Sequence, residues 1–311
     1  VIIANIGFEL GTVICNSYLS EISDRKNIGK ISGFAWGLGF LGGLISLIII
    51  LTLMILLPMI FTNVINIEFK IVRMSAVIVA LWFAIFSIPV FFLVREKKSE
   101  KLTKNHVKKS FNSILETFNQ IRKYKKIIRF LIARLFYNDA LITIFALGGA
   151  YAIETLNFTL TETLILGVVL NIFACIGSFV FGRLEDIYGP KWCIEISIIT
   201  LFIAVLLAFF APFFSNLLIG KSIFWFAGIL IGIMTGPSQS CSRSLMARLT
   251  PLDKTNEFFG FYAFTGKATA FLGPFIFALL SVYSPQFGLL VVVLFFFIGY
   301  LIFKPLKLNN E

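Results

Sequence analysis

Residues 177–192, GSFVFGRLEDIYGPKW, decide how the chain is read. They close one apolar run, at about 162–182, and open another, at about 192–214. Between the runs lies a turn bearing Arg183, Glu185, Asp186 and Lys191, with Gly182 and Gly189 on either side of its acidic pair. A bilayer core of about 30 Å takes roughly 20 helical residues to cross, so each run is long enough to be a span. Outward from this turn the same pattern recurs at about 1–20, 32–57, 73–94, 128–151, 222–243, 257–282 and 286–303, which makes nine runs. They are continuously apolar and do not alternate at every second residue, so helices are implied and not a barrel. Composition points the same way, with 58% hydrophobic and 14% charged residues and a mean hydropathy of +0.93. A soluble domain carries far more charge. The chain reads as an all-α polytopic membrane protein.

The formal net charge of +11 is placed for a membrane and not for nucleic acid. Basic residues gather at Arg25, Lys26 and Lys30, from Arg95 to Arg129, at Arg183 and Lys191, at Arg243, Arg248 and Lys254, and at Lys304 and Lys307. The intervening breaks hold only Lys70, Arg73 and Lys221. This alternation is the positive-inside pattern, so the rich loops are expected to be cytoplasmic, and no nucleic-acid partner is expected. Cys15, Cys175, Cys193 and Cys241 lie in or beside apolar runs without CxxC spacing, and His106 is the single histidine. Neither a disulfide framework, nor a metal centre, nor a Ser/His/Asp triad is indicated, and no cofactor is expected.

The one long break, from Arg95 to Arg129, leaves three spans before it and six after. Three further spans upstream would make two bundles of six, so the chain is expected to be N-terminally truncated, with nine of twelve helices present. The expected organisation is 1–94 as the last three helices of an N-terminal bundle, 95–127 as a cytoplasmic linker, and 128–311 as a six-helix C-terminal bundle with a short tail. In the linker Phe111, Ile114, Leu115, Phe118 and Ile121 recur at helical spacing, which predicts an amphipathic helix on the membrane face.

Gly182, Leu184, Asp186, Gly189 and Lys191 match G-x-L-x-D-x-x-G-x-[KR], and this turn resembles the loop signature of the major facilitator superfamily. NSYLSEISDRKNIGKISGFAWGLGFLGG, FYNDALITIFALGGAYA and SQSCSRSLMARLTPLDKTNEFFGFYAFTGKATAFLGP narrow the resemblance. They look like the family within it that includes the fungal vacuolar amino-acid effluxer of autophagy and many bacterial transporters. The resemblance implies a major facilitator fold of twelve helices and alternating access, with a small solute, and amino-acid efflux by analogy, as the activity. A bacterial cytoplasmic membrane is the expected location, with the lipid bilayer and a coupling proton or ion as partners. It also implies that the span holding Gly33, Gly37, Gly39, Gly42 and Gly43 packs against the one holding Gly167 and Gly177. No G-x-x-x-x-G-K-[ST] loop is present, so flux would be downhill or driven by an ion gradient. Two other readings stay open: an integral membrane enzyme acting on lipid, and a non-functional fragment of a transporter.

Candidate functional residues follow. Gly182, Arg183, Asp186, Gly189 and Lys191 form a gating loop in which Asp186 pairs with Arg183 or accepts from a neighbouring helix N-terminus, near Ser32 and Gly33. Gly232, Gly236 and Pro237 loosen a span before Ser238, Gln239, Ser240 and Ser242, as in the broken helices of transporters, while Arg243 and Arg248 anchor its cytoplasmic end. Asp139, in RLFYNDALITIF, lies ten residues beyond Arg129, about 15 Å up a helix. Lys267 lies ten beyond Glu257, so the two are expected to pair, with Glu9 competing for Lys267. Glu9, Asn16, Tyr137, Asn138, Asp139, Gln239, Ser240 and Lys267 are the candidate substrate-binding or coupling residues.

Overall fold

A computed structural model describes residues 2–60, 67–93 and 121–308. The linker stretch 94–120, with His106 and the apolar stripe from Phe111 to Phe118, lies outside the described residues. Among the described residues ten α-helices form: α1 Ile2–Ile22, α2 Ile28–Ile60, α3 Ile67–Leu93, α4 Lys125–Leu156, α5 Leu160–Tyr188, α6 Pro190–Phe210, α7 Leu217–Leu249, α8 Thr255–Ala268, α9 Leu272–Ser281 and α10 Pro285–Phe303. No strand occurs among the described residues. Among the described residues eight segments are long and apolar enough to cross a membrane, α8 and α9 counting together as Leu252–Ser281. The 21-residue α1, which carries Asn5, Glu9, Asn16 and Glu21, forms where expected but is not among them. Large apolar side chains such as Phe145, Ile165, Phe226 and Leu294 stay exposed on the spans, as a hydrocarbon solvent allows.

The chain divides into two compact units, Val1–Phe40 with Glu116–Glu311, and Leu41–Leu115. The smaller holds the second part of α2 and α3, where Trp82 packs on Phe86 at 4.7 Å between ring centroids. In the larger, α7 packs along α5 and α6, and α10 lies against α4 and α6.

Local chemistry sets the helix ends. Thr159 and Glu162 form a capping box at the start of α5, with Glu162 N–H donating to Thr159 Oγ1 at 3.1 Å and Thr159 N–H to Glu162 Oε2 at 2.7 Å. Such a cap satisfies two of the helix's orphan donors. Gly189, at φ +87°, turns the chain in one residue, and Pro190 opens α6 at its first position. A left-handed φ there is what glycine adopts freely.

Two expectations about breaks exchange places. The stretch around Pro237 keeps α7 continuous from Leu217 to Leu249. Proline removes the donor to the carbonyl four residues earlier, and that carbonyl, of Ile233, faces Gly177 of α5, where only the missing side chain leaves room. Gly232 and Gly236 meet α5 in the same way, at Leu170 and at Ala174 and Ser178. The discontinuity lies instead in the run expected as one span at 257–282: α8 ends at Ala268 and α9 begins at Leu272.

Candidate functional site

The turn between α5 and α6 brings Asp186 to the N-terminus of α2. Gly29 N–H donates to Asp186 Oδ1 at 2.9 Å and Lys30 N–H to Oδ2 at 2.8 Å. Both are first-turn donors of α2 that no helical carbonyl can satisfy, and a carboxylate there also meets the positive end of the helix dipole. The capped donors sit earlier than the Ser32 and Gly33 expected, because α2 starts at Ile28, ahead of its apolar run. Nor is Arg183 the partner of Asp186. Arg183 is exposed, and Arg248 of α7 reaches Asp186 Oδ1 at 3.3 Å while its other nitrogen donates to the Arg25 carbonyl at 2.7 Å. Glu185 is buried beside this knot, accepting from the Ser244 hydroxyl, with Arg248 at 3.7 Å. Gly189 shapes the turn, and Lys191 lies 3.9 Å from Glu195 one turn into α6.

Above the cap α2 and α5 approach at backbone distance. A Cβ on Gly33 would lie 2.5 Å from the Ser178 carbonyl and 2.6 Å from Gly182 Cα, and one on Gly37 would lie 2.7 Å from the Phe179 ring. The α5 residues that receive α2 are therefore Ser178, Phe179 and Gly182. Gly177 faces α7, and Gly167 has no heavy atom within 4 Å of where its Cβ would be. The expected pairing of α2 with Gly167 and Gly177 is thus shifted to the end of α5 nearest the turn.

Next comes a layer of polar side chains between helices. Arg243 of α7 donates through Nε to Ser32 Oγ at 3.0 Å, through Nη2 to the Ser32 carbonyl at 2.9 Å, and through Nη1 to Asn16 Oδ1 at 3.3 Å. The Ser32 hydroxyl in turn donates to the Ser240 carbonyl at 2.7 Å. Arg243 therefore ties α7 to α1 and α2 and is more than an end anchor. Tyr137 and Ser242 share a hydrogen bond at 2.7 Å. Gln239 Nε2 donates to Asn138 Oδ1 at 3.0 Å, and Asn138 Nδ2 to the Gly266 carbonyl at 3.4 Å.

Asp139 and Lys267 do not pair. Lys267 binds Glu9 Oε1 at 2.9 Å, and Asp139, 1% exposed, accepts from Gly273 N–H at 3.0 Å through Oδ2. The broken helix explains the exchange: the break before Leu272 leaves α9 with a first-turn donor facing α4. Asp139 Oδ1 has no partner. A charge at the centre of a span costs at least about 2.5–3.5 kcal/mol on insertion scales, and here one hydrogen bond and one helix dipole offset it.

Sequence reasoning missed Arg134 and Tyr262. Arg134 is 6% exposed, lies over the Tyr262 ring at 3.6 Å and donates to the Tyr262 carbonyl at 3.0 Å. The signal was in plain view, an arginine five residues ahead of Asp139 within a membrane run. Among the described residues no group of three or more His, Cys, Asp or Glu side chains is placed to hold a metal ion.

Similarity to known proteins agrees with this architecture. Residues 16–310 match the family model described as vacuole effluxer Atg22 like. The uncharacterised MFS-type transporter YxiO of Bacillus subtilis is 28% identical over 313 residues, covering 99% of this chain and 71% of that protein. Autophagy-related protein 22-1 of Aspergillus fumigatus is 27% identical, with 94% of this chain and 49% of its own length covered. For autophagy-related protein 22 of Kluyveromyces lactis the values are 25%, 76% and 52%. The chain thus spans about half the length of these fungal relatives. With a family match over nearly its whole length, on an all-helical polytopic fold, the chain belongs to the Atg22-like family of MFS-type transporters.

Proposed function

We propose that the protein is a secondary transporter that moves a small solute across the membrane by alternating access, in a bacterial cytoplasmic membrane. Residues 1–94 and 128–311 belong to the two moving bundles, and the described arrangement is the one closed toward the cytoplasm. The observation that carries this reading is the Asp186 cap on α2, reinforced by Arg248. Its bonds join segments 156 and 157 residues apart and can all be exchanged for water without breaking any helix. The ties from Arg243 to Ser32 and Asn16 act at the same closure. Efflux is the proposed direction by analogy with the effluxer named in the family description, and amino acids are the proposed solute from the resemblance of the sequence alone. Asp139, whose second oxygen lacks a partner, is the proposed carrier of a coupling proton.

Counterflow of radiolabelled amino acids in proteoliposomes tests the reading. Exchange is expected, and Asp186→Asn, which keeps the shape but loses the charge of the cap, should slow turnover about tenfold, for an N-cap and ion-pair loss of about 1–2 kcal/mol, with substrate affinity changed less. Turnover equal to wild type in that variant would overturn the gating role, and absence of flux for every solute tested would overturn transport.

A further inference from the structure

Two guanidinium groups, of Arg134 and Arg243, lie in the interior of the larger unit with no carboxylate among the described residues in ion-pair distance of either. Antiparallel α4 and α7 are fixed in register by Tyr137 with Ser242 and by Asn138 with Gln239. One helical turn toward the basic end, Arg134 lies four residues before Asn138 on α4, and Arg243 lies four after Gln239 on α7. The same register therefore sets the two arginines at one level. Tyr262 of α8 holds Arg134 against its ring. Among the described residues no acidic side chain is within ion-pair distance of either arginine. Their hydrogen-bond partners are neutral: the Tyr262 and Ser32 carbonyls, the Ser32 hydroxyl and the Asn16 amide. Arg134 Nε is buried with no acceptor at all.

A buried carboxyl can neutralise itself by taking up a proton, but a guanidinium cannot shed one in a protein. An unpaired buried cation is strongly unfavourable, so relief for Arg134 has to come from an anion that arrives. The stack on Tyr262 leaves the guanidinium its edge to present. A planar fork of N–H donors fits a carboxylate in its own plane. Arg243, with three of its donors already used, adds charge more than new bonds, so the site suits a single negative charge.

We propose that Arg134, opposite Arg243 and backed by Tyr262, binds the carboxylate group of the transported solute, with the Asn138–Gln239 amide pair contacting the same solute one turn further outward. This assignment rests on the transporter reading and names the charge its solute must carry.

The test is thermal unfolding of the purified full chain with each of the twenty amino acids, with pyruvate and succinate, with leucinamide and the other amino-acid amides, and with inorganic phosphate. At least one carboxylate should raise the unfolding midpoint while its amide does not. Arg134→Gln should weaken that ligand about thirtyfold or more, as for loss of one partner of a buried charged hydrogen bond. The ligand-free variant should be as stable as wild type or more so, because an unpaired buried charge is gone; a role confined to packing predicts the reverse. Equal shifts from acid and amide, a shift from phosphate alone, no shift from any carboxylate, or undiminished binding in Arg134→Gln would each overturn the site. Counterflow separates this from failure of the transporter reading. Exchange confined to solutes without a carboxylate, such as the amino-acid amides, would leave transport standing and the carboxylate site refuted. A carboxylate shift lost in Arg134→Gln without any exchange would leave the site standing and transport refuted.

Discussion

Asp139 does at the level of one residue what a cap does for a whole helix. In the first turn of α9, Leu272 N–H donates to the Thr269 carbonyl at 2.8 Å, Gly273 N–H donates to Asp139, and Pro274 has no N–H to satisfy. Every donor of that turn is accounted for, and only the second carboxylate oxygen is left over. Asp139→Asn keeps an acceptor for Gly273 and removes the charge, so folding should be retained with a midpoint no lower than wild type, while proton-driven flux disappears. Retained proton-driven flux would refute the coupling role. The charge itself was legible in the sequence, but its partner was not. Counting residues from Arg129 and Glu257 gives depth along a continuous helix and says nothing about direction around it, and the interruption at 269–271 turns an N–H toward Asp139 where an ammonium was expected. A double-mutant cycle distinguishes the two pairings: Glu9→Gln and Lys267→Met should couple, whereas Asp139→Asn and Lys267→Met should add within about 0.5 kcal/mol, as independent sites do.

For the elements, the decisive contact is the backbone approach of α2 to α5. The sequence exposed the glycine stripe and the loop signature because both depend on residue type at fixed spacing. Which glycines touch depends on helix rotation, which spacing alone leaves open. Gly33 meets Ser178 and Gly182, while Gly39 has no heavy atom within 4 Å of its Cβ position. Gly33→Ala should force the two helices apart near the Asp186 cap, and Gly39→Ala, at the same helix and of the same chemistry, should be silent. Ser240, buried just behind this contact, reports the difference. A cysteine placed there should be alkylated from the cytoplasmic side several times faster with Gly33→Ala than without it. An equal effect of Gly39→Ala, or none from Gly33→Ala, would mean that the α2–α5 contact does not hold the cytoplasmic side closed.

At the scale of the whole molecule, the two ends of the larger unit are chemically different. One end collects Arg25, Arg183, Asp186, Lys191 and Arg248 around the α5–α6 turn, where Arg248 bridges the Arg25 carbonyl and Asp186. The other holds the capping box of α5 and its ion pair from Lys221 to Glu162 at 2.9 Å. Lys221 and Arg248 stand near opposite ends of the 33-residue α7, which at 1.5 Å per residue is about 50 Å long, enough to cross the hydrocarbon and both headgroup layers. In the proposed orientation, which the positive-inside bias supports, the Arg248 end is the cytoplasmic one. Leu252 and Val282, each 81% exposed, flank the broken α8–α9 span on its two sides, so single cysteines there read the orientation directly. With the four native cysteines replaced by alanine, a membrane-impermeant maleimide should label Val282→Cys in intact cells and Leu252→Cys only in inverted vesicles. Labelling of both from one side would mean that α8 and α9 turn back within the bilayer as a re-entrant pair. The Asp139 cap on α9 would then lie beside an aqueous loop and lose its place in the membrane interior, and the coupling role proposed for that carboxylate would fall with it.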